Sequence, residues 1–196
     1  MRAIRNPVLP WLATLCLLLA GCASGPTVRT DADPEADFGR YRTWDFYQPI
    51  AMEANGYTSY TTERIRAALR DRMQALGYVH DPAAPDLKVN FQGVVEDRTD
   101  VYTVPRSDFR YYYSYRARTY VAIPVWYDET QVSNYRQGTL TVDLVDARLN
   151  RLVWTGSAIG RITNKKTAQE RAAEIDGAVA AIFAKYPYRG GARQSP

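Results

Sequence analysis

The chain holds 196 residues, 46% of them hydrophobic and 12% aromatic, with 25 basic against 21 acidic side chains and a formal charge of +4. So even a balance lacks the concentrated basic surface that phosphate binding needs, and it argues against a nucleic-acid partner. One histidine and two cysteines exclude a multi-histidine metal site and a disulfide framework, so a single apolar core must hold a domain of this size.

The chain opens with Arg2 and Arg5 ahead of an apolar run, Val8 to Leu19, that ends in Leu19-Ala20-Gly21-Cys22. A charged start, a core too short to span a bilayer and small residues before a cleavage point describe a secretory signal over residues 1–21. The closing cysteine turns it into a lipobox, which resembles that of the bacterial lipoproteins. The resemblance implies a diacylglyceryl group on Cys22, cleavage before it and acylation of the new amino terminus. Several acyl chains, at about 0.8 kcal/mol per buried methylene, make such an anchor effectively permanent. Ala23 stands where an aspartate retains enterobacterial lipoproteins at the inner membrane, so the resemblance implies the outer membrane, facing the periplasm. Losing Arg2 and Arg5 leaves 23 basic against 21 acidic groups, a charge of +2. Cys16 leaves with the signal and Cys22 is acylated, so the mature domain has no thiol for zinc or nucleophilic chemistry. We expect no metal and no cofactor.

Residues 22–27 read as the acylated cysteine and a short tether, 28–187 as a single domain and 188–196 as a disordered tail. Tyr41, Thr43 and Asp45 alternate with Arg42, Trp44 and Phe46, which predicts a strand. From Thr61 the apolar residues Ile65, Ala68, Leu69, Met73 and Leu76 recur at helical spacing. Thr61 or Thr62 is the expected cap of this helix, and Gly77 its left-handed stop. Leu87, Val89 and Phe91 alternate with polar residues as in a strand with one covered face, and Gly93 is a candidate bulge. Leu140 to Val145 and Leu152 to Ile159 flank a turn at 146–150, which predicts a hairpin. Thr167-Ala-Gln-Glu170 fits a capping box opening a last helix that stops before Tyr186-Pro187. Together these predict an α+β domain, a largely antiparallel sheet with both helices packed on one face.

The order of five segments resembles a bacterial lipoprotein family defined by a domain of unknown function, number 4136 in its series. They are Asp37-Phe38 to Thr43-Trp44, the helix ending Leu76-Gly77-Tyr78, Pro85-Asp86-Leu87-Lys-Val, Gly138 to Asp146 leading to Leu152-Val-Trp154-Thr-Gly156, and the helix closing on Tyr186-Pro187. The resemblance implies an envelope location and brings no reaction, cofactor or catalytic residue with it.

No catalytic constellation stands out. His80 precedes Asp81-Pro82 and reads as a turn residue; no Gly-x-Ser-x-Gly elbow accompanies it. Glu96, Asp97, Asp100, Asp128 and Glu129 have the chemistry of paired glycosidase carboxylates, yet charges near strand ends are usually solvated. Trp44 and Trp154 read as core, and Gly156-Ser-Ala-Ile-Gly160 as close packing or bulges. The unusual segment is 102–135, which holds eight of the fifteen tyrosines interleaved with arginines. Tyr111, Tyr112, Tyr113, Tyr115, Arg116 and Arg118 are the candidate partner-binding residues, since this mixture is enriched at interfaces. In a strand Tyr111, Tyr113 and Tyr115 share one face, and Tyr112, Ser114 and Arg116 the other, so one face can pack while the other binds. The sequence therefore reads as a non-enzymatic, lipid-anchored envelope module. It would meet the membrane through its lipid and an envelope protein or glycan through the aromatic segment; the alternative is a small envelope hydrolase acting on cell-wall material.

Overall fold

A computed structural model describes residues 25–163 and 166–191. Cys22 and the signal lie outside these residues. The domain is α+β, with strands β1 (Thr27–Ala32), β2 (Thr43–Phe46), β3 (Val79–His80), β4 (Leu87–Ser114), β5 (Thr119–Asp146) and β6 (Arg151–Ile162). Helix α1 spans Tyr60–Ala75 and α2 spans Ala168–Phe183, with short 3-10 turns at Phe38–Arg40 and Ala51–Glu53. The strands form one six-stranded sheet in the order β1-β6-β5-β4-β2-β3.

The sheet is mixed, which corrects the expectation of a largely antiparallel one. β2 runs parallel to both β3 and β4, while β1–β6, β6–β5 and β5–β4 are antiparallel. The cause is α1, which carries the chain back from β2 so that the next strands start from the same end, as parallel neighbours require.

Alternation decides what is buried. Leu87, Val89 and Phe91 of β4 and Val142 and Leu144 of β5 have no exposed surface. They share a core with Ile65, Leu69 and Met73 of α1 and Val179, Ile182 and Phe183 of α2, so both helices serve the same sheet face. Trp44 and Trp154 are core residues, 1% and 2% exposed.

Helix α1 begins two residues earlier than the nearer expected cap, Thr61, allows, because Ser59 accepts the Thr62 N–H at 3.1 Å. Gly77 takes the left-handed conformation, φ +87°. At α2 both halves of the Thr167–Glu170 capping box are present. Gly93 is no bulge; it pairs with Leu140 in unbroken register. The one register shift falls between Leu144 and Val145, where Val153 and Trp154 are both buried in succession.

The tail also departs from expectation over residues 188–191. Tyr188 stacks on Phe38 with ring centroids 3.7 Å apart, and the Gly190 and Gly191 N–H groups donate to the carbonyls of Leu76 and Tyr41. Aromatic burial orders a stretch whose Arg-Gly-Gly composition reads as solvated. Residues 192–196 lie outside the described residues.

Close packing at Gly156 yields a prediction. A Cβ there would sit 2.5 Å from Cη2 of Trp154 and 2.7 Å from Cγ2 of Ile182, both buried and unable to swing away. Gly156→Ala is expected to cost about 1–3 kcal/mol in urea unfolding, as overpacking does. Gly160→Ala, whose nearest atom would be 4.0 Å off, is the control and is expected to stay within about 0.5 kcal/mol of wild type.

Candidate functional site

β4 and β5 each run for 28 residues and pair without a shift from Leu87↔Asp146 to Ser114↔Thr119. The rest of the sheet is far shorter. β2 accompanies β4 only to Val89, and β6 leaves β5 at Arg136. From the pair Arg98↔Tyr135 outward the two strands therefore continue alone as a ribbon, whose length at ~3.3 Å per residue is roughly 55 Å. Residues 115–118 make the turn, with Arg118 at φ +52° and the Ser114 hydroxyl accepting the Ala117 N–H at 3.3 Å.

The candidate residues sit at the far end of this arm. Tyr111, Tyr112 and Tyr113 lie in β4, whereas Tyr115, Arg116 and Arg118 belong to the turn and not to the strand, so the expected face assignment stops at Ser114. Neither face of the tyrosine segment packs: Tyr111 is 70% exposed, Tyr112 50% and Tyr115 87%. Tyr113 meets Tyr115 and Tyr120 edge-to-face at 5.2 and 5.3 Å, a small aromatic cap at the tip.

Cross-strand register gives the ribbon two unlike faces. One carries Glu96, Arg98, Asp100, Arg106, Asp108 and Arg110 of β4 with Glu129 of β5. Five of these seven charges are paired: Arg98 donates to Glu96 at 2.6 Å, Arg106 to Glu129 at 2.8 Å and Arg161 of β6 to Asp100 at 2.5 Å. The hydrogen bond and charge of Arg106 hold the Glu129 carboxyl below the usual range. Arg161 also lies over the Tyr135 ring at 3.9 Å. The opposite face continues the alternation of the buried Leu87, Val89 and Phe91. It presents Val101 against Val132, Thr103 against Thr130, Ser107 against Trp126, Phe109 against Pro124 and Tyr113 against Tyr120. Between Thr99↔Asn134 and Tyr113↔Tyr120 its one charged residue is Asp128. Every residue on this face of the ribbon is exposed, Trp126 at 76% and Phe109 at 59% among them.

A family model for a domain of unknown function, DUF4136, matches residues 28–188. The chain belongs to the DUF4136 family. No curated protein matches it. Among solved structures, a PDZ domain protein from Parabacteroides distasonis superposes with a TM-score of 0.52 at 15% identity, covering 86% of this chain and 37% of the other. The DUF4136 chain thus spans a little over a third of that protein's length, and at this identity the likeness is one of fold. Two PelC dodecamer structures from Paraburkholderia phytofirmans give TM-scores of 0.42 and 0.41 at 14% and 15% identity, each covering 83% of this chain and 98% of theirs.

The other chemistry considered for this DUF4136 domain does not converge. His80 lies in β3 at the sheet edge instead of a turn, and its Nε2 is 3.0 Å from Asp45 Oδ1, not paired with Asp81. Asp100 and Glu129 are the nearest pair on one ribbon face between the two carboxylate groups. Their backbone positions lie four residues apart along the ribbon, roughly 13 Å, and each carboxylate is held by a different arginine, Asp100 by Arg161 and Glu129 by Arg106. Among the described residues no three His, Cys, Asp or Glu side chains gather as a metal site. Two open recesses of about 400 and 260 Å³ lie elsewhere, one beside Arg64, Asp71 and Asp176, the other beside Arg40, Asp86 and Asp146.

The sequence reading missed Val101, Phe109, Trp126 and Val132 as members of the same surface. Their signal was present as period-two alternation through 95–113 and 120–136, hidden because an exposed apolar stripe reads like a buried one.

Proposed function

We propose that the protein is a non-enzymatic envelope lipoprotein, held by acyl chains on Cys22 at the outer membrane and facing the periplasm, that binds a partner through the projecting ribbon. The partner class is another envelope protein or a glycan such as peptidoglycan. One observation carries the binding part: an arm of seventeen strand pairs that exposes aromatic and apolar side chains on a continuous face and contributes nothing to the core. Exposed patches of this kind mark interaction sites, and Tyr, Trp and Arg are the residues on which binding energy concentrates. The lipobox supports the anchor, and no helix among the described residues is long and apolar enough to cross a membrane.

Two measurements test the two halves. A photo-crosslinking residue in place of Tyr111 or Trp126 is expected to yield a specific adduct in cells, and the same residue in place of Arg70, on the exposed side of α1, is expected to yield none. Absence of any ribbon adduct removes the binding role. Cys22→Ala is expected to move the protein from the membrane fraction to a soluble or unprocessed form; retention at the membrane after complete signal cleavage contradicts the lipid anchor.

A further inference from the structure

Resting on that reading, we infer that the ribbon's partner is a second copy of this chain, the two ribbons seated face to face on their uncharged sides. Three observations select this occupant. The first is charge. Between the Thr99 and Tyr113 pairs the face holds one ionic group, Asp128, so a copy of itself brings a single carboxylate to the contact, whereas the other face carries charges of both signs, five of its seven paired within the chain.

The second is area. From Val101↔Val132 to Tyr113↔Tyr120 the stripe runs thirteen pairs, roughly 40 Å long and about 15 Å wide across two strands with their side chains. That gives roughly 600 Å² per copy and about 1,200 Å² in all, the lower end of stable specific interfaces. The third is the ribbon itself. A two-stranded hairpin alone in water is marginal, and a second ribbon about 10 Å away supplies the missing layer of a sandwich. The contact is isologous, since each copy offers the same residues it receives.

The edges of the ribbon do not offer the same opportunity. A strand tolerates proline where the missing N–H would point off the edge, and each strand has one, Pro105 in β4 and Pro124 in β5. Neither edge therefore presents an unbroken row of donors to a neighbour. Hydrocarbon is excluded as the occupant of a single ribbon because its edges would carry unpaired backbone groups into lipid.

The test uses two differently tagged full-length chains expressed together, with capture of one tag and detection of the other. Wild type and Ile123→Glu, which adds a carboxylate opposite Arg110 on the charged face, are expected to co-purify. Trp126→Glu and Phe109→Glu are expected to lower co-capture by at least about tenfold, since each places an unpaired charge at the centre of the buried stripe. All three positions are exposed, so unchanged melting temperatures establish that folding is not at issue. Failure of wild-type chains to co-purify, or equal loss with Ile123→Glu, overturns the inference. If the ribbon then still gives a crosslink to a different protein or a glycan, the binding role stands and self-docking falls; if it gives none, both fall.

Discussion

Phe91→Ala is expected to lower the unfolding free energy by about 3–5 kcal/mol, and Phe109→Ala, on the same strand and face eighteen residues on, to change it by about 0.5 kcal/mol or less. Phe91 has no exposed surface and lies edge-to-face with Phe46 at 6.4 Å, beneath both helices. Truncating it leaves a cavity that rigid neighbours cannot fill. Phe109 is 59% exposed, beyond the reach of either helix. Urea midpoints of the two variants decide the matter. Equal losses would mean that the arm is folded into the domain's core and is not a free surface.

Asp146→Ala is expected to cost about 3 kcal/mol and to remove part of the acid sensitivity of the fold. This carboxylate is 1% exposed and closes the β5–β6 turn. Its Oδ1 accepts the backbone N–H groups of Arg148 and Leu149 at 2.9 and 2.8 Å, and its Oδ2 accepts the Tyr41 hydroxyl at 3.0 Å and the Arg40 guanidinium. Alanine would deprive all four donors of their acceptor; Arg40 and the turn N–H groups lie near solvent, but the Tyr41 hydroxyl belongs to a residue 2% exposed, and a buried donor without a partner costs about 1–3 kcal/mol. Burial by itself would raise the Asp146 pKa, but the Leu149 N–H, Tyr41 and Arg40 outweigh it and hold the carboxyl below its ordinary value. A carboxyl depressed in the folded state stabilises fully above its unfolded pKa of about 3.9 and loses that contribution as pH falls through the folded value. Tyr41 works at the other end. Burial, then Asp146, pushes its hydroxyl up to about 12, so its contribution is complete below its unfolded pKa of about 10 and fades as pH rises toward 12. Melting temperature measured against pH should fall at both extremes in wild type, and the acid limb should flatten in Asp146→Asn. An unchanged acid limb would remove Asp146 from the account.

The elements that periodicity and caps define were legible. The helical stripe from Ile65 to Met73 and the alternation at Leu87 to Phe91 name core residues correctly, and the Thr167–Glu170 capping box names a helix start, because each of these patterns is local. Strand direction was less open to reading. The direction of β2 depends on where α1 returns the chain, a tertiary property, although the strand-helix-strand order carried the hint. The candidate surface was legible as composition but not as extent. Tyr111 and its neighbours stood out through repetition, whereas Trp126 and Val132 are ordinary strand residues whose exposure follows from β2 and β6 ending early. The order at Tyr188 to Gly191 was illegible for a similar reason: the partner ring of Phe38 lies 150 residues away.

The unbroken pairing of β4 with β5 makes the arm's two sides a matter of parity. The core fixes which residues face inward at Leu87, Val89 and Phe91, and nothing between there and the tip resets the count. Inserting one residue into each strand near the base would keep every pair but turn the distal arm over, putting Arg106 and Asp108 where Ser107 and Phe109 now stand. Inserting two into each would restore the original sides. The arm of this domain can therefore change length without changing character only in steps of two pairs, about 7 Å at a time, and its length and its chemistry are inherited together.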